Sequence, residues 1–532
     1  MSDAWWGETA HLLGHRAIWA GLCGYIVTKW QLVTIGAGHH GHGKGKTLTK
    51  ENGTVPLSDN GPSGLKGNLG VASIVMMVVA AAAPLTVMAA NSPLIIAMGN
   101  GIAAPLDAAI ATLIMYLFTA GFIVMSRYVT NAGAFYAYIQ KGLGRQVGLA
   151  SATLATASYT FIVLALEAYL GYTLAELLHN TLSITVPWWI MSFVVVLVAG
   201  FLGYRHIEMS SRFLGVALVL EVGVVLLADL VVLVTKGTAL LDPAPFTQHA
   251  ALSGSPGLGL MFAIYCFIGF ESTVIFRDEA RNPEVTIPRA TYIAVFGVGL
   301  FYVISMWCEV AGIGLGQTVQ MANEHTGDMY LIFIHNYMGK VAEDIVNVLL
   351  ITSLFACILA FHNVVVRYQF VMARYNVLPS LISRVHDKHE SPHMSSLVQT
   401  GTSLVGLIVL VILGLDPVTQ IYAWAATAGT LGYMVILSMT CLSILVFFNV
   451  RRGGKGGVWH TLIAPIGALC GLLLCLGVAI ANLPALIGGD NASVAAWGVG
   501  VLVLVSFIVG YGAAGRLKMK DPARFEALKE LA

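Results

Sequence analysis

Four carboxyl groups lie inside long apolar runs of the chain, where a charge has no water to stabilise it. Glu167 stands in FIVLALEAYLGY, Glu221 and Asp229 stand in GVALVLEVGVVLLADLVVL, and Glu309 stands near the end of a later run. If these runs cross a bilayer, each ionised group costs about 2.5–3.5 kcal/mol or more. Such a carboxyl faces a cavity or stays protonated, so we expect Glu221 and Glu167 to be candidate proton carriers. The alternative, favoured for Asp229 and Glu309, is a protonated carboxyl hydrogen-bonded between helices.

Two apolar runs also contain residues that interrupt a helix. Pro84 stands in the middle of the first apolar run of the chain, within AAAAPLTVMAANSP. Gly269 stands in the middle of the sixth apolar run, within IYCFIGFES, two residues before Glu271. A broken helix exposes backbone N–H groups where its second half begins and carbonyl groups where its first half ends. The N–H groups suit a carboxylate and the carbonyl groups suit an ammonium, and an α-amino acid carries both. Proline kinks with a packing role alone are the alternative interpretation.

The composition identifies the elements that position these residues. The chain has 532 residues, of which 57% are hydrophobic and only 10% charged, too few charges for the surface of a soluble protein of this length. Apolar blocks of 18 or more residues are each long enough to cross about 30 Å of hydrocarbon as a helix. We predict an all-α polytopic membrane protein with twelve transmembrane helices, at residues 69–97, 103–126, 146–176, 185–203, 213–235, 257–276, 290–314, 341–371, 395–414, 419–448, 460–483 and 493–514.

The positive charges predict how these spans are oriented. If the first span starts on the cytoplasmic side, all but two of the 28 Lys and Arg residues lie on that side, as the positive-inside rule requires. We therefore expect a multi-pass protein of the cytoplasmic membrane with both termini in the cytoplasm, the C-terminal tail being residues 515–532. Residues 1–68 are predicted to form a cytoplasmic region with an interfacial amphipathic segment and a flexible linker. A thirteenth span there is less favoured, because Lys29 would lie deep in lipid.

Several classes of function have no support in the sequence. The seven cysteines show no CxxC spacing, and His39, His40 and His42 have no Cys or carboxylate partner nearby, so we expect no metal site and no cofactor. P-loop, nucleophile-elbow and metalloprotease motifs do not occur, which argues against an enzyme. A net charge of +1 without a dense basic patch argues against a nucleic-acid partner.

Three segments resemble the amino acid–polyamine–organocation (APC) permeases. GFESTVIFRDEARNPEVTIPRA, residues 269–290, resembles the family pattern GFE…EEARNP…IPRA that follows the sixth span. SRYVTNAGAFYAYIQKGLGR, residues 126–145, resembles the loop after the second span, and FHNVVVRYQFVMARYNVLP, residues 361–379, resembles the end of the eighth. These matches occur in family order over about 65–450. AAAAPL at 80–85 replaces the usual Gly-x-Gly and is similar to the actinobacterial-type amino acid permeases.

The resemblance implies the five-plus-five inverted-repeat fold of the leucine transporter, with helices 1 and 6 broken. The first repeat would be residues 69–235 and the second residues 257–448, followed by spans 11 and 12 at 460–514. The charges that follow the sixth span would then form a solvated, salt-bridged face of a cytoplasmic loop.

The resemblance also implies a substrate site at the two breaks and on the third and eighth spans. Tyr265 and Phe361 correspond to aromatic residues that close over the substrate. Glu167 falls where members that take cationic substrates carry a glutamate. Glu221 falls where some proton-coupled members keep a lysine, so the match by itself does not identify the proton carrier. The implied substrate-binding residues are Ala82, Ala83, Pro84, Tyr159, Glu167, Tyr265, Ile268, Gly269, Phe270 and Phe361.

We therefore expect a secondary active transporter for amino acids or related amines that works by alternating access, with the proton as coupling ion. Its partners would be the small-molecule substrate, the proton and the lipid bilayer. One alternative is an uncoupled amino acid or polyamine exchanger. A second, less favoured alternative is a transporter-like substrate sensor, because the short C-terminal tail offers no signalling domain.

Overall fold

The computed structural model describes residues 69–129, 134–205, 211–275, 280–374, 376–386, 391–487 and 492–528. The predicted N-terminal region, residues 1–68, lies outside these ranges, as do residues 276–279 of the charged loop. Within the described ranges the chain is helical and contains no strand. One isolated backbone bridge joins Leu69 to Ala280, so the start of the first helix lies beside the loop that precedes the seventh span.

The helices follow the predicted spans closely. Their bounds are α1 Val71–Ala82, α2 84–100, α3 Ala104–Ser126, α4 Ala134–Leu143, α5 Arg145–Leu182, α6 Trp188–Tyr204, α7 Ser211–Lys236, α8 Pro256–Tyr265, α9 Ser272–Ile275, α10 Pro283–Ile313, α11 Thr318–Glu324, α12 Met329–Met338, α13 Lys340–Arg374, α14 His393–Ile412, α15 Pro417–Val450, α16 Trp459–Leu486, α17 Ala492–Lys520 and α18 Pro522–Ala527. Helix α2 runs through short α and π turns.

Nine helical segments of the described chain are long and apolar enough to cross a membrane. One of them is a run of 56 residues, Val71–Ser126, which contains α1, α2 and α3. At 1.5 Å per residue it would measure about 80 Å, so it must fold back. Gly99 has a non-helical backbone and Gly101 has a φ of 60°, which places the turn between α2 and α3. The count of twelve spans and the inverted repeat stay predictions.

Proline marks where several of these helices begin. A proline at the first or second helical position removes an N–H that would have no partner there and sets a helical φ in advance. Such prolines are Pro84, Pro105, Pro256, Pro283 and Pro417. Pro283 also explains why α10 begins seven residues before the predicted residue 290, with Pro288 inside the helix.

Helix α5 is the central element of the helical bundle. It packs against α6, α13, α15 and α17, and α10 packs along α3. The charged loop contributes one ion pair that the structure describes, between Arg127 Nε and Glu284 Oε2 at 3.4 Å. Both side chains of this pair are about half exposed, in agreement with the solvated face predicted for the loop.

Helices α2 and α8 are bound tightly to each other. The Asn91 side-chain amide donates a hydrogen bond to the Phe262 carbonyl oxygen at 2.7 Å. Near the end of α2 and the start of α8, a Cβ atom on Gly99 would lie 2.5 Å from the Gly259 Cα, so these two backbones touch with no room for a side chain. The second half of the first span therefore packs directly on the first half of the sixth.

We predict that Gly99→Ala lowers the melting temperature of the purified protein. The added methyl group would collide with backbone atoms of Gly259, and overpacking of this kind costs about 1–3 kcal/mol. Gly223→Ala, inside α7, is the matched control, because nothing lies within 4 Å of its added Cβ. There the change should be neutral or stabilising by about 0.5–1 kcal/mol. Thermal unfolding in detergent measures both, and equal shifts would contradict the close contact.

Candidate functional site

The first break lies at Ala83, between α1 and α2. Ala83 has φ 46° and ψ 67°, a left-handed conformation that costs an alanine roughly 1–2 kcal/mol. Pro84 occupies the first position of α2. The next two N–H groups, of Leu85 and Thr86, have no acceptor within their own helix, because a first helical turn has no preceding carbonyl to bind. The break thus produces a short row of N–H donors at the positive end of a helix.

The second break follows Tyr265, the last residue of α8. Residues 266–271 form successive tight turns, with hydrogen bonds such as Ile268 N–H to Tyr265 O at 3.0 Å. Gly269 has a φ of 106°, which a residue with a side chain rarely adopts. A Cβ on Gly269 would lie 3.2 Å from the Ala81 carbonyl oxygen. The two breaks are therefore in direct contact, and the glycine makes that approach possible.

Glu271 is buried next to this contact, and uncharged donors form hydrogen bonds with its carboxyl group. Its Oε1 accepts a hydrogen bond from the Tyr159 hydroxyl. Its Oε2 accepts one from the Gly269 N–H at 3.0 Å and lies 3.4 Å from the Tyr433 hydroxyl. The side chain is only 6% exposed. Two helices far apart in sequence, α5 and α15, thus converge on one carboxyl group at the second break.

Aromatic residues predicted for the substrate site surround the same point. The Tyr159 ring stacks on Phe361, with 5.8 Å between centroids, and lies 6.1 Å from Tyr368. Tyr265 ends α8 at the second break, and Cys357, one helical turn before Phe361 on α13, is close enough to interact with it electrostatically. Tyr159, Tyr265 and Phe361 are all buried. The structure therefore brings these three predicted residues together beside the breaks.

Other predicted residues contribute mainly backbone. The Phe270 ring packs against Phe118 and Phe122, with centroids 5.8 and 5.9 Å away, so its side chain belongs to an aromatic cluster under the break. The Ala82 carbonyl oxygen lies 3.5 Å from the Tyr302 hydroxyl. Ile268 is buried in the second break. These residues shape the breaks rather than offering them polar side chains.

Glu221 is connected to the first break through two hydroxyl groups. The Ser353 hydroxyl donates to Glu221 Oε2 at 2.8 Å, and the Thr86 hydroxyl donates to Ser353 at 3.2 Å. Thr86 stands in the first turn of α2, Ser353 in α13 and Glu221 in α7. A carboxyl group predicted to carry a proton is therefore two hydrogen bonds from the N–H row of α2.

Glu167 is not brought to the breaks. Its carboxyl group lies near the Ser403 hydroxyl of α14, and its buried Oε2 has no hydrogen-bond partner within the described chain. Its neighbours on that side of α5, Leu164 and Ala168, pack with Leu407 in a separate apolar cluster. At 100° per residue, residue 167 lies about 80° round α5 from Tyr159, and α5 directs Glu167 towards α14.

Asp229 and Glu309 have the interhelical hydrogen bonds expected of them. The Ser305 hydroxyl donates to Asp229 Oδ2 at 2.7 Å, which joins α10 to α7. The Ser92 hydroxyl donates to Glu309 Oε2, which joins α2 to α10. Both carboxyl groups are buried, and α10 is thereby bonded both to α7 and to the second half of the first span.

The sequence analysis did not include Glu271, Tyr433, Thr86 and Ser353 among the site residues. The only local signal was Glu271, a carboxyl two residues after the breaking glycine. Its partner Tyr159 is 112 residues away and Tyr433 is 162 residues away. Hydroxyl-bearing residues are common in membrane helices, so nothing in the sequence separates these from the others.

Comparison with known proteins gives a consistent picture. A family model described as amino acid permease matches residues 73–522. The low-affinity putrescine importer PlaP of Escherichia coli K12 is 25% identical over 64% of this chain and 72% of its own length. The arginine/agmatine antiporter of Chlamydia pneumoniae is 21% identical over 43% of this chain and 46% of its own. A mutant of the manganese transporter of Eremococcus coleocola aligns in structure with a TM-score of 0.49 and 13% identity, over 86% of this chain and 98% of that one.

We predict that Tyr159→Phe destabilises the protein more than Tyr433→Phe does. Each change removes one hydroxyl and keeps the ring. Loss of the Tyr159 hydroxyl takes away the donor to Glu271 Oε1, and a buried acceptor left unpaired costs about 1–3 kcal/mol. The Tyr433 hydroxyl is 3.4 Å from Oε2, a weak bond whose loss costs less. Thermal unfolding in detergent compares the two, and a larger loss for Tyr433→Phe would contradict the geometry.

Proposed function

This chain belongs to the amino acid permease family, and from that premise we propose that it is a secondary transporter that moves an amino acid or a related amine across a membrane by alternating access. The family is one of integral membrane transporters, and its relatives include importers and an antiporter. The observation that carries the proposal is the contact between the two helix breaks at Gly269 and Ala81, where opposite helix ends meet inside the apolar core.

The proposed substrate site uses the two ends of the broken helices. The substrate carboxylate binds the first-turn N–H groups of α2, at Leu85 and Thr86, where the helix dipole favours negative charge. The ammonium faces the carbonyl groups that end α8 near Tyr265. Phe361 and Tyr265 supply aromatic faces, which attract a cation by about 0.5–2 kcal/mol each. The names of the putrescine importer and the arginine/agmatine antiporter support an amine-bearing substrate.

Alternating access follows from the burial of this site. Residues 82–86 and 265–271 are each less than a tenth exposed, so a substrate reaches them only after helices move apart. The tight turns of 266–271 and the left-handed Ala83 are hinges at which half-helices can tilt. We assign the motion to α1, α2, α8 and α9, within the proposed repeats 69–235 and 257–448, and we place both termini in the cytoplasm.

We assign proton coupling to Glu221. A substrate carboxylate at Thr86 would lie next to the chain of hydroxyls that ends at Glu221. Ser353 can donate to an ionised carboxylate or accept from a protonated one, so the chain stays hydrogen-bonded in both states. Substrate arrival and protonation of Glu221 are then linked, because the substrate's negative charge near Glu221 favours its protonated form. We assign Glu167 a role in the packing of α5 against α14 instead.

A substrate screen tests the transport proposal directly. Purified protein is heated with each amino acid and with common polyamines, since a ligand that binds only the folded state raises the melting temperature. Ligands that raise it are then tested for uptake into proteoliposomes. Binding followed by saturable uptake is the expected result. Binding without uptake or exchange would favour a substrate sensor and would sink the transporter proposal.

We predict that Glu221→Gln abolishes uptake driven by a pH gradient while substrate exchange between the two sides continues. Gln keeps the shape and the hydrogen bond from Ser353 but cannot take up a proton. Glu167→Gln is the matched control, since this carboxyl group is also buried but lies near Ser403 of α14 instead of the hydroxyl chain, and the variant should retain most of the pH-driven uptake. Counterflow and gradient-driven uptake in proteoliposomes separate the two activities.

Two outcomes would contradict this assignment. If Glu167→Gln alone loses the pH-driven uptake, the proton carrier is Glu167 of α5 and not Glu221. If uptake by the unmutated protein does not depend on the pH gradient while exchange is intact, the protein is an uncoupled exchanger. This exchanger mechanism is the second candidate, because an antiporter is among the relatives.

A further inference from the structure

A cavity of about 540 Å³ lies away from the breaks, where α4, α5, α17, α18 and the connection after α15 meet. Four cationic residues line it: Lys141, Arg145, Arg451 and Lys518. They come from three separate stretches of sequence, around residues 141–145, 451 and 518, so the chain shows no dense basic patch that would indicate them. Acidic residues do not occur among the lining residues. The cavity therefore has the charge of an anion-binding site.

One nearby carboxylate offsets part of this charge. Arg145 forms an ion pair with Glu526 of α18, with 2.6 Å between Arg145 Nη1 and Glu526 Oε1. Its guanidinium carbon lies 5.7 Å from the Phe525 ring centroid. These contacts hold Arg145 in place at the wall of the cavity. Glu526 itself is largely exposed, so its effect is screened by water. Four of the described lining residues are cationic, and the cavity keeps a positive potential.

The surface next to the cavity is apolar. Helix α17 presents Leu504, Ile508 and Tyr511 on one face, at the spacing of successive helical turns, and these are 57%, 55% and 45% exposed. Tyr511 also lines the cavity. Tyrosine is common where a membrane helix meets the headgroup level. A charged cavity that continues into an exposed apolar stripe complements a molecule with an anionic head and an apolar tail.

We propose that this cavity binds the phosphate group of an anionic phospholipid, with its acyl chains along α17. Basic pockets between membrane helices on the cytoplasmic side are suited to lipid headgroups, and each Lys or Arg near such a phosphate adds attraction. Free phosphate is also an anion, but it has no apolar part that could pack on the exposed stripe of α17. The lipid would hold α17 and α18 against the α4–α5 turn.

The test uses the full chain purified in a neutral detergent. Dioctanoyl phosphatidylglycerol, dioctanoyl phosphatidylcholine and inorganic phosphate are titrated at matched ionic strength, and the melting temperature reports binding. The cavity variant is Arg451→Gln with Lys518→Gln. The control is Arg516→Gln with Lys520→Gln, which removes two exposed charges from α17 outside the cavity. All four positions are exposed, so neither variant disturbs the core.

We expect phosphatidylglycerol to stabilise the unmutated protein and phosphatidylcholine to leave it unchanged. The cavity variant should bind phosphatidylglycerol about tenfold more weakly, and the control within about twofold of the unmutated protein. Equal stabilisation by inorganic phosphate, lost in the cavity variant, supports the phosphate site but assigns it to free phosphate. Equal weakening of both variants, or no stabilisation by phosphatidylglycerol, overturns the proposal.

Discussion

The contact between Gly269 and Ala81 is the constraint on which the rest of the site depends. Inside a membrane every freed backbone group needs a partner away from lipid, so an isolated break in one helix is costly. Here two breaks lie against each other, and the glycine at φ 106° permits the approach. The aromatic residues, the buried Glu271 and the hydroxyl chain to Glu221 are arranged around this point.

Neutral donors rather than cations satisfy the buried carboxyl groups near the breaks. Glu271 has tyrosine hydroxyls and a backbone N–H, and Glu221 has a serine. A hydroxyl can donate or accept, so these groups tolerate either protonation state without a broken hydrogen bond. A lysine or arginine partner would instead hold a carboxylate ionised. This arrangement suits groups that gain and lose protons during a cycle, which is the basis of our assignment to Glu221.

Some predictions from the sequence agree with the structure because they depend on local properties. The apolar runs became helices, and the breaks lie where Pro84 and Gly269 placed them. The start of α10 was predicted at residue 290, but the helix begins at Pro283, because a proline is compatible with the first turn of a helix. Glu167 was grouped with the substrate residues, yet α5 turns it towards Ser403. Its burial was predictable, but its direction depends on how α5 is rotated in the bundle.

The sequence by itself determined the membrane class, the helical runs and the two breaking points, because length, hydropathy and backbone restrictions act over a few residues. Only the tertiary structure decided which side chains meet. Tyr159 reaches Glu271 across 112 residues, and four cations from three distant segments line one cavity. Such contacts depend on helix packing and rotation, which are set by the fit of many side chains together and leave no pattern within any single segment.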